Sequence, residues 1–378
     1  MKNWQTKKLG EIFQIERGGS PRPIESFLTT DENGINWIKI GDTKNITKYI
    51  YKTEEKIKPS GLNKTRLVKE GDFILSNSMS FGRPYIMKTT GAIHDGWLVL
   101  RKKQSDIDKD FFYYLLGSPV VFDQFDNLAA GSTVRNLNTK LVASIDVSFP
   151  SLVEQKLIVK ILDNIFRKIE KVRENAERNL QNSRELFESY LQKSFSNSGW
   201  DIKNLGDVCE NLDSKRIPVT KRDRVNGNYP YYGASGIVDY VNDYIFDEDL
   251  LLVSEDGANL LARTYPIAFS ILGKSWVNNH AHVLRFKKRE TQKFYEYYLN
   301  SIDLASYVSG MAQPKLNQGT LNLIKVPSPS VEEQREIVKK LDGLSGETRK
   351  LEEIYKQKLA DLEELKKSVL QKAFSGEM

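Results

Sequence analysis

Apolar residues recur every three or four positions along two stretches of this chain. One passes through Leu157, Ile158, Ile161 and Leu162 and continues to Tyr190; the other runs from Leu344 to Val369. Lys, Glu, Arg, Gln and Asn fill the intervening positions, so each stretch reads as an amphipathic helix. Ser151 with Glu154, and Ser330 with Glu333, form capping boxes at the starts, each preceded by proline. Asp163-Asn164 and Asp342-Gly343 are weak points where direction is expected to change. Beyond them, steps of four and three define a coiled-coil seam. In the first stretch it runs through Ile165, Ile169, Val172, Ala176, Asn179, Ser183, Leu186 and Tyr190. In the second it runs through Leu344, Thr348, Leu351, Tyr355, Lys358, Leu362, Leu365 and Val369. The pattern predicts two helices that pair, antiparallel if a pseudo-twofold axis relates them.

The segments before these helices have a different texture. Residues 35–42, 71–76, 96–101, 249–254 and 282–286 have strand character with Gly and Asp turns. Short helices are expected at Lys109–Leu116 and Gln292–Leu299. The fold class is α/β (α+β), with two globular domains of twisted, mostly antiparallel sheet. The expected limits are 1–150, then a helical region 151–198, a second domain 199–329 and a second helical region 330–378.

The two halves repeat each other. Pro-Ser-Leu-Val-Glu-Gln at 150–155 returns as Pro-Ser-Val-Glu-Glu-Gln at 329–334. Gly131 and Leu137-Asn138 return as Gly310 and Leu316-Asn317, and Leu191–Ser196 as Leu370–Ser375. All share one offset of 179 residues (334 less 155). Leu9-Gly10 and Leu205-Gly206 open the two copies.

The 378 residues suffice for two or three domains, and 17 Phe, 17 Tyr and 5 Trp supply cores. The net charge of +6 suits a polyanionic partner without requiring one. A lone cysteine, Cys209, excludes an intrachain disulfide framework and a cysteine-based zinc cluster. No run approaches the ~20 apolar residues of a membrane span, and Met1–Thr6 lead into no signal region. The expectation is a soluble cytoplasmic protein.

Catalytic chemistry is hard to find. The chain has neither a G-x-x-x-x-G-K-[ST] phosphate loop nor a G-x-G-x-x-G turn between strand and helix. Asn228-Tyr229-Pro230-Tyr231 is only superficially like the Asn-Pro-Pro-Tyr loop of adenine methyltransferases, and it lacks the second proline. His280 and His282 would share one strand face, but with no carboxylate near them in sequence a half-buried polar face outweighs a metal site. No catalytic residue and no metal ligand is assigned.

Loops rich in Arg, Lys, Asn, Ser and Tyr remain. The first half offers Arg17, Arg22, Ser76, Asn77, Arg83, Arg135 and Asn138. The second offers Lys215, Arg216, Arg222, Tyr231, Tyr232, Ser235, Asn279, His280, Lys315 and Asn317. Arg and Lys neutralise phosphates, Arg bonds guanine bidentately and Asn does so to adenine. Each side chain alone also reads as ordinary solvated surface; the matched placement in both halves gives the set its weight.

Together these features resemble the specificity subunit of type I restriction-modification systems. The resemblance covers nearly the whole chain. It rests on Leu9-Gly10 and Leu205-Gly206, Trp37–Asp42, Tyr229–Gly236, and the repeated Pro-Ser-x-x-Glu-Gln and Leu-Gln-Lys-x-Phe-Ser. It implies two target-recognition domains, each reading half of an asymmetric bipartite sequence in double-stranded DNA. It also implies an antiparallel coiled coil that spaces the readers and docks two methyltransferase subunits, with motor-nuclease restriction subunits joining them. S-adenosylmethionine, ATP and magnesium would belong to those partners, leaving this chain non-catalytic and without a cofactor. The competing readings are a stand-alone DNA modification enzyme with a degenerate methyltransferase core, and a coiled-coil scaffold without nucleic acid.

Overall fold

The computed structural model describes residues 4–376, apart from 45, 78–80, 130–135, 197–198 and 311. Each long periodic stretch is one uninterrupted helix, Leu152–Ser194 and Val331–Ser375. Both capping boxes form: the Ser151 and Ser330 hydroxyls accept the amides of Glu154 and Glu333, whose carboxylates accept the serine amides in return. The expected breaks at Asp163-Asn164 and Asp342-Gly343 do not occur. Their aspartates, which would otherwise compete for the helix backbone, accept phenols instead. The Tyr114 hydroxyl donates to Asp163 at 2.5 Å and the Tyr297 hydroxyl to Asp342 at 2.7 Å.

The seam is half as expected. Ile169, Ala176 and Ser183 are buried on the first helix, and Thr348 and Leu362 on the second, with Tyr355 and Val369 partly so. Val172, Asn179, Leu186, Leu351, Lys358 and Leu365 are exposed, and Ile165 is only half-buried. The intermediate seam positions are the next residues along: Phe166, Arg173, Leu180 and Phe187, then Ser345, Glu352, Leu359 and Lys366. A seven-residue repeat divides as three plus four or four plus three, and in the first helix apolar residues occupy both choices, Ile165, Val172 and Leu186 against Phe166, Leu180 and Phe187. The same choice is made in both copies.

The chain divides into two compact units, Met1–Ala176 with Lys358–Met378, and Glu177–Gln357. Each unit therefore takes part of both helices. In the first, Leu162 packs with Ala373 and Phe374, and Lys366 lies 3.7 Å from Glu170. In the second, Arg184 pairs with Glu352 at 3.1 Å, and Phe195 packs near Ile337 and Val338. Numbering rises along one helix as it falls along the other, so within each unit the pair is antiparallel.

The first unit holds two five-stranded sheets and a two-stranded ribbon. Most pairings are antiparallel; Gly91–Ile93 with Ile35–Ile38, and Tyr49–Ile50 with Pro84–Met87, are parallel. The expected helix Lys109–Leu116 is present with Asp108 as its cap. Phe111 and Phe112 sit at the centre of the main core, where Phe111 meets Trp4 and Phe374 edge-on at 6.2 and 5.3 Å. The second unit has two four-stranded sheets and its own ribbon, with the expected second helix at Arg289–Ser301.

The repeated motifs are joints between segments. Leu9 and Leu205 are fully buried, and their amides donate to Ile145 O and Ile324 O, both at 2.9 Å. A Cβ on Gly10 would lie 2.8 Å from Ala143 Cβ, and one on Gly206 would lie 3.1 Å from Asn322 Cβ, so the glycines permit the approach. Gln155 and Gln334, the last residues of the Pro-Ser motifs, are buried and donate back to Pro150 O and Pro329 O.

Candidate nucleic-acid interface

In the first unit the turn between Ile93 and Trp97 gathers the polar loop residues. Gly18 and Gly19 lie flat against it, their amides donating to Trp97 O and Ile93 O. A Cβ on Gly18 would come within 2.3 Å of His94 O, so only glycine fits there. This brings Arg17, Ser20 and Arg22 to Asp95. The Ser20 hydroxyl donates to Asp95 Oδ1 at 2.8 Å, and Arg17 Nε and Asn77 Nδ2 donate to the Asp95 carbonyl. Arg22 lies 3.8 Å away and stays largely exposed. His94 Nδ1 accepts the Gly96 amide, leaving Nε2 as the protonated nitrogen, 3.0 Å from Asp95. Burial works to raise the Asp95 pKa, but the Ser20 hydroxyl, His94 and Arg22 outweigh it and hold the carboxyl below its ordinary value.

Several expected contacts have other duties. Ser76 and Asn77 are fully buried; the Ser76 hydroxyl accepts the Arg83 amide, and the Asn77 carbonyl accepts the Leu137 amide. They shape the loop without reaching its surface, because they close a strand buried on both faces. Asn138 Oδ1 accepts the Leu141 amide at 2.9 Å and so caps the helix Thr139–Ser144. Arg17, Arg22 and Arg83 are exposed. Arg135 lies outside the described residues.

In the second unit the corresponding place is an ionic cluster. Asp213, Glu255 and His282 lie with ligand atoms within 4.8 Å of one another, all buried. Arg216 Nη1 donates to Glu255 at 2.6 Å and to Ala281 O at 2.8 Å, and Lys315 Nζ lies 3.3 Å from Glu255. Arg216, Lys315 and the His282 ring already occupy the carboxylate oxygens, so the cluster is an ion-pair network rather than a metal centre. Arg216 is spent inside it and faces inward, against expectation. His282 is buried on the strand Ala281–Arg285, while His280 sits exposed in the preceding turn, 2.8 Å from Asp256. The two histidines therefore do not share a face. Asn317 Oδ1 accepts the Thr320 amide at 3.0 Å, the capping role of Asn138 repeated.

Beside the cluster is a cavity of about 320 Å³ bordered by Thr220, Arg224, Tyr231, Asn278, Asn279 and His280 among others. Tyr231 is buried, exchanges hydrogen bonds with the Val219 backbone and carries Arg224 4.3 Å above its ring. It is floor, not contact surface, and Tyr232 is half-buried beside Phe269. Lys215, Arg222, Ser235, Asn279 and Lys315 are exposed. Asp95, Asp213 and Glu255 went unnoticed in the sequence, where nothing distinguishes them from other surface carboxylates. Among the described residues, no helix is long and apolar enough to cross a membrane.

A family model described as the type I restriction modification DNA specificity domain matches residues 1–178 and again 197–363. A putative type I restriction enzyme specificity subunit of Haemophilus influenzae is 33% identical over 199 residues, spanning 48% of this chain and 51% of that protein. The chain thus spans about half the length of that relative. The EcoprrI specificity subunit of Escherichia coli is 22% identical, over 93% of this chain and 90% of its own. Two solved structures share the fold. A chain from a study of type I R-M complex assembly and conformational transition gives a TM-score of 0.79 at 18% identity, covering 99% of this chain and 98% of that one. The HsdS subunit of Thermoanaerobacter tengcongensis gives 0.61 at 19%, covering 100% and 98%.

Proposed function

The chain belongs to the type I restriction modification DNA specificity family, and from that premise we propose that it is the DNA-reading subunit of a type I restriction-modification complex. Each unit reads one half of a bipartite target. One observation carries this reading: both units present a polar cluster at the same joint, where a repeated leucine amide meets the residue after a buried strand serine. The joint is shared and the side chains around it differ, as two different half-sites require. Exposed Arg17, Arg22 and Arg83 in one unit, and Lys215, Arg222, Asn279 and Lys315 in the other, suit phosphates and base edges.

The helices suit docking of methyltransferase subunits. One position before the half-buried flank of the seam, apolar residues stand exposed as Val172 and Leu365 in the first unit and Leu186 and Leu351 in the second, with Asn179 and Lys358 between them at the same register. The opposite flank carries Glu170, Glu177, Arg184, Arg349, Lys356 and Glu363. Exposed apolar residues flanking a helix pair are what a further helix would cover. Methyl transfer, ATP hydrolysis and cleavage, with S-adenosylmethionine, ATP and magnesium, fall to the methyltransferase and motor-nuclease subunits, and the assembly acts on cytoplasmic DNA. The test is methylome sequencing of cells expressing this chain with its methyltransferase. A two-part motif that appears only with this chain supports the reading. Methylation independent of the chain, or turnover by the highly purified chain alone, overturns it.

A further inference from the structure

The two units build one strand pair and fill it differently. In the first, Leu75 pairs with Leu98 and Ser76 with Trp97; in the second, Val253 pairs with His282 and Ser254 with Ala281. The next residue in each accepts the amide of the repeated leucine: Leu137 donates to Asn77 O at 2.9 Å, and Leu316 to Glu255 O at 2.8 Å. His282 therefore stands where the first unit has a buried leucine. Both its ring nitrogens face acceptors, Nδ1 at 2.6 Å from Asp213 Oδ2 and Nε2 at 2.7 Å from Leu316 O. A neutral imidazole has one N–H and satisfies only one of these. Asp213 already accepts the Val283 amide at 2.9 Å and has Arg216 3.5 Å away, the surroundings of an ionised carboxylate. Only a ring that carries both protons donates to both acceptors.

Resting on the DNA-reading assignment, we propose that His282 is a positioning residue private to the second reader. As an imidazolium it ties the Lys315–Asn317 loop to the sheet and so sets selectivity for one half-site alone. Every charged group facing it belongs to this lock. Asp213 and Arg216 come from the turn after Asn211, and Glu255 lies 3.7 Å from Nδ1. Lys315 reaches Glu255 from the loop itself, and the Asp256–His280 pair lies just outside. Cys209, near Asp213, stays a neutral thiol because burial pushes its pKa up to about 12. Two N–H donors aimed at a carboxylate and a loop carbonyl hold the loop at both ends of one rigid ring. The first unit relies on packing at that place.

The test pairs a methylome with a spectrum. His282→Leu installs the first unit's residue type, and the full chain is expressed with its methyltransferase. Discrimination at the second half-site should fall about ten-fold, the size of one lost charge-assisted hydrogen bond, with the first half-site unchanged. A motif unchanged by His282→Leu overturns this proposal alone. A wild-type methylome without a two-part motif overturns the DNA-reading assignment, and this proposal with it. Independently, ring ¹⁵N spectra of the wild-type full chain should show both His282 nitrogens protonated; only three histidines need assigning. A spectrum with one bare nitrogen overturns the proposal even where His282→Leu fails to accumulate.

Discussion

At the scale of single residues, the repeated Leu-Asn pair shows how a matched motif divides between frame and surface. Leu137 and Leu316 are wholly buried, and Asn138 and Asn317 cap the helices that follow. Asn138→Ala and Asn317→Ala should each cost about 1 kcal/mol, the usual loss for such a cap, readable as a shift in urea midpoint. The carboxyls at the two clusters respond to acid. Burial tends to raise the Asp213 pKa, but the His282 hydrogen bond and charge, the Val283 amide and Arg216 outweigh it and hold it below the ordinary value. A carboxyl shifted that way contributes fully above its unfolded pKa of about 3.9, and the contribution disappears as pH falls through the folded value. Urea midpoints should therefore drop below about pH 4, and Asp213→Asn should start lower and show a flatter acid limb. The basic loop residues were legible in the sequence, because Arg-Gly-Gly and Lys-Leu-Asn stand out locally. The carboxylates that organise them were not, since Asp95 is brought to Ser20, and Asp213 to His282, only by strand pairing.

At the scale of elements, the short helices and four of the five strand segments could be read closely, because period and punctuation agree there; of residues 35–42 only Ile35–Ile38 is strand, and Ile40–Thr43 turn into a 3-10 helix in which the Lys39 amide donates to Asp42. The long helices could be read in existence and direction but only half in register. Ile165, Val172 and Leu186 compete with Phe166, Leu180 and Phe187 for the same heptad role, and tertiary packing selects the second set. That selection has a measurable consequence. Ile169→Ala, inside the seam, should cost about 2 kcal/mol or more. Val172→Ala, outside it, should fall within about 0.5 kcal/mol of wild type. Asn179→Leu and Lys358→Leu should not stabilise the chain, since both positions face solvent. Helix-monitored denaturation of the four variants decides between the two registers.

At the scale of the whole molecule, the paired helices invite a length experiment. Four residues inserted after Asn179, with four after Lys358, add about 6 Å of helix and just over one turn. If the helices space the readers, as the family resemblance implies, the methylated motif should keep both halves and gain one or two base pairs between them. An active complex with unchanged spacing would leave the helices as a docking platform only. DNA affinity should also fall with salt. About three phosphates neutralised per reader gives a slope near −5 for log K against log salt, measurable by titration of the full chain. The edge-on contact of Phe374 with Phe111 has a temporal consequence. Residue 111 leaves the ribosome early and residue 374 very late, so the first core waits, incomplete, through synthesis of nearly everything between. The region made first finishes last, with its apolar surface open meanwhile. Closure over so long a separation is slow, and slow closure is when chains aggregate. Codon or chaperone effects on the yield of this protein should therefore register in the first unit, even when the cause lies near residue 374.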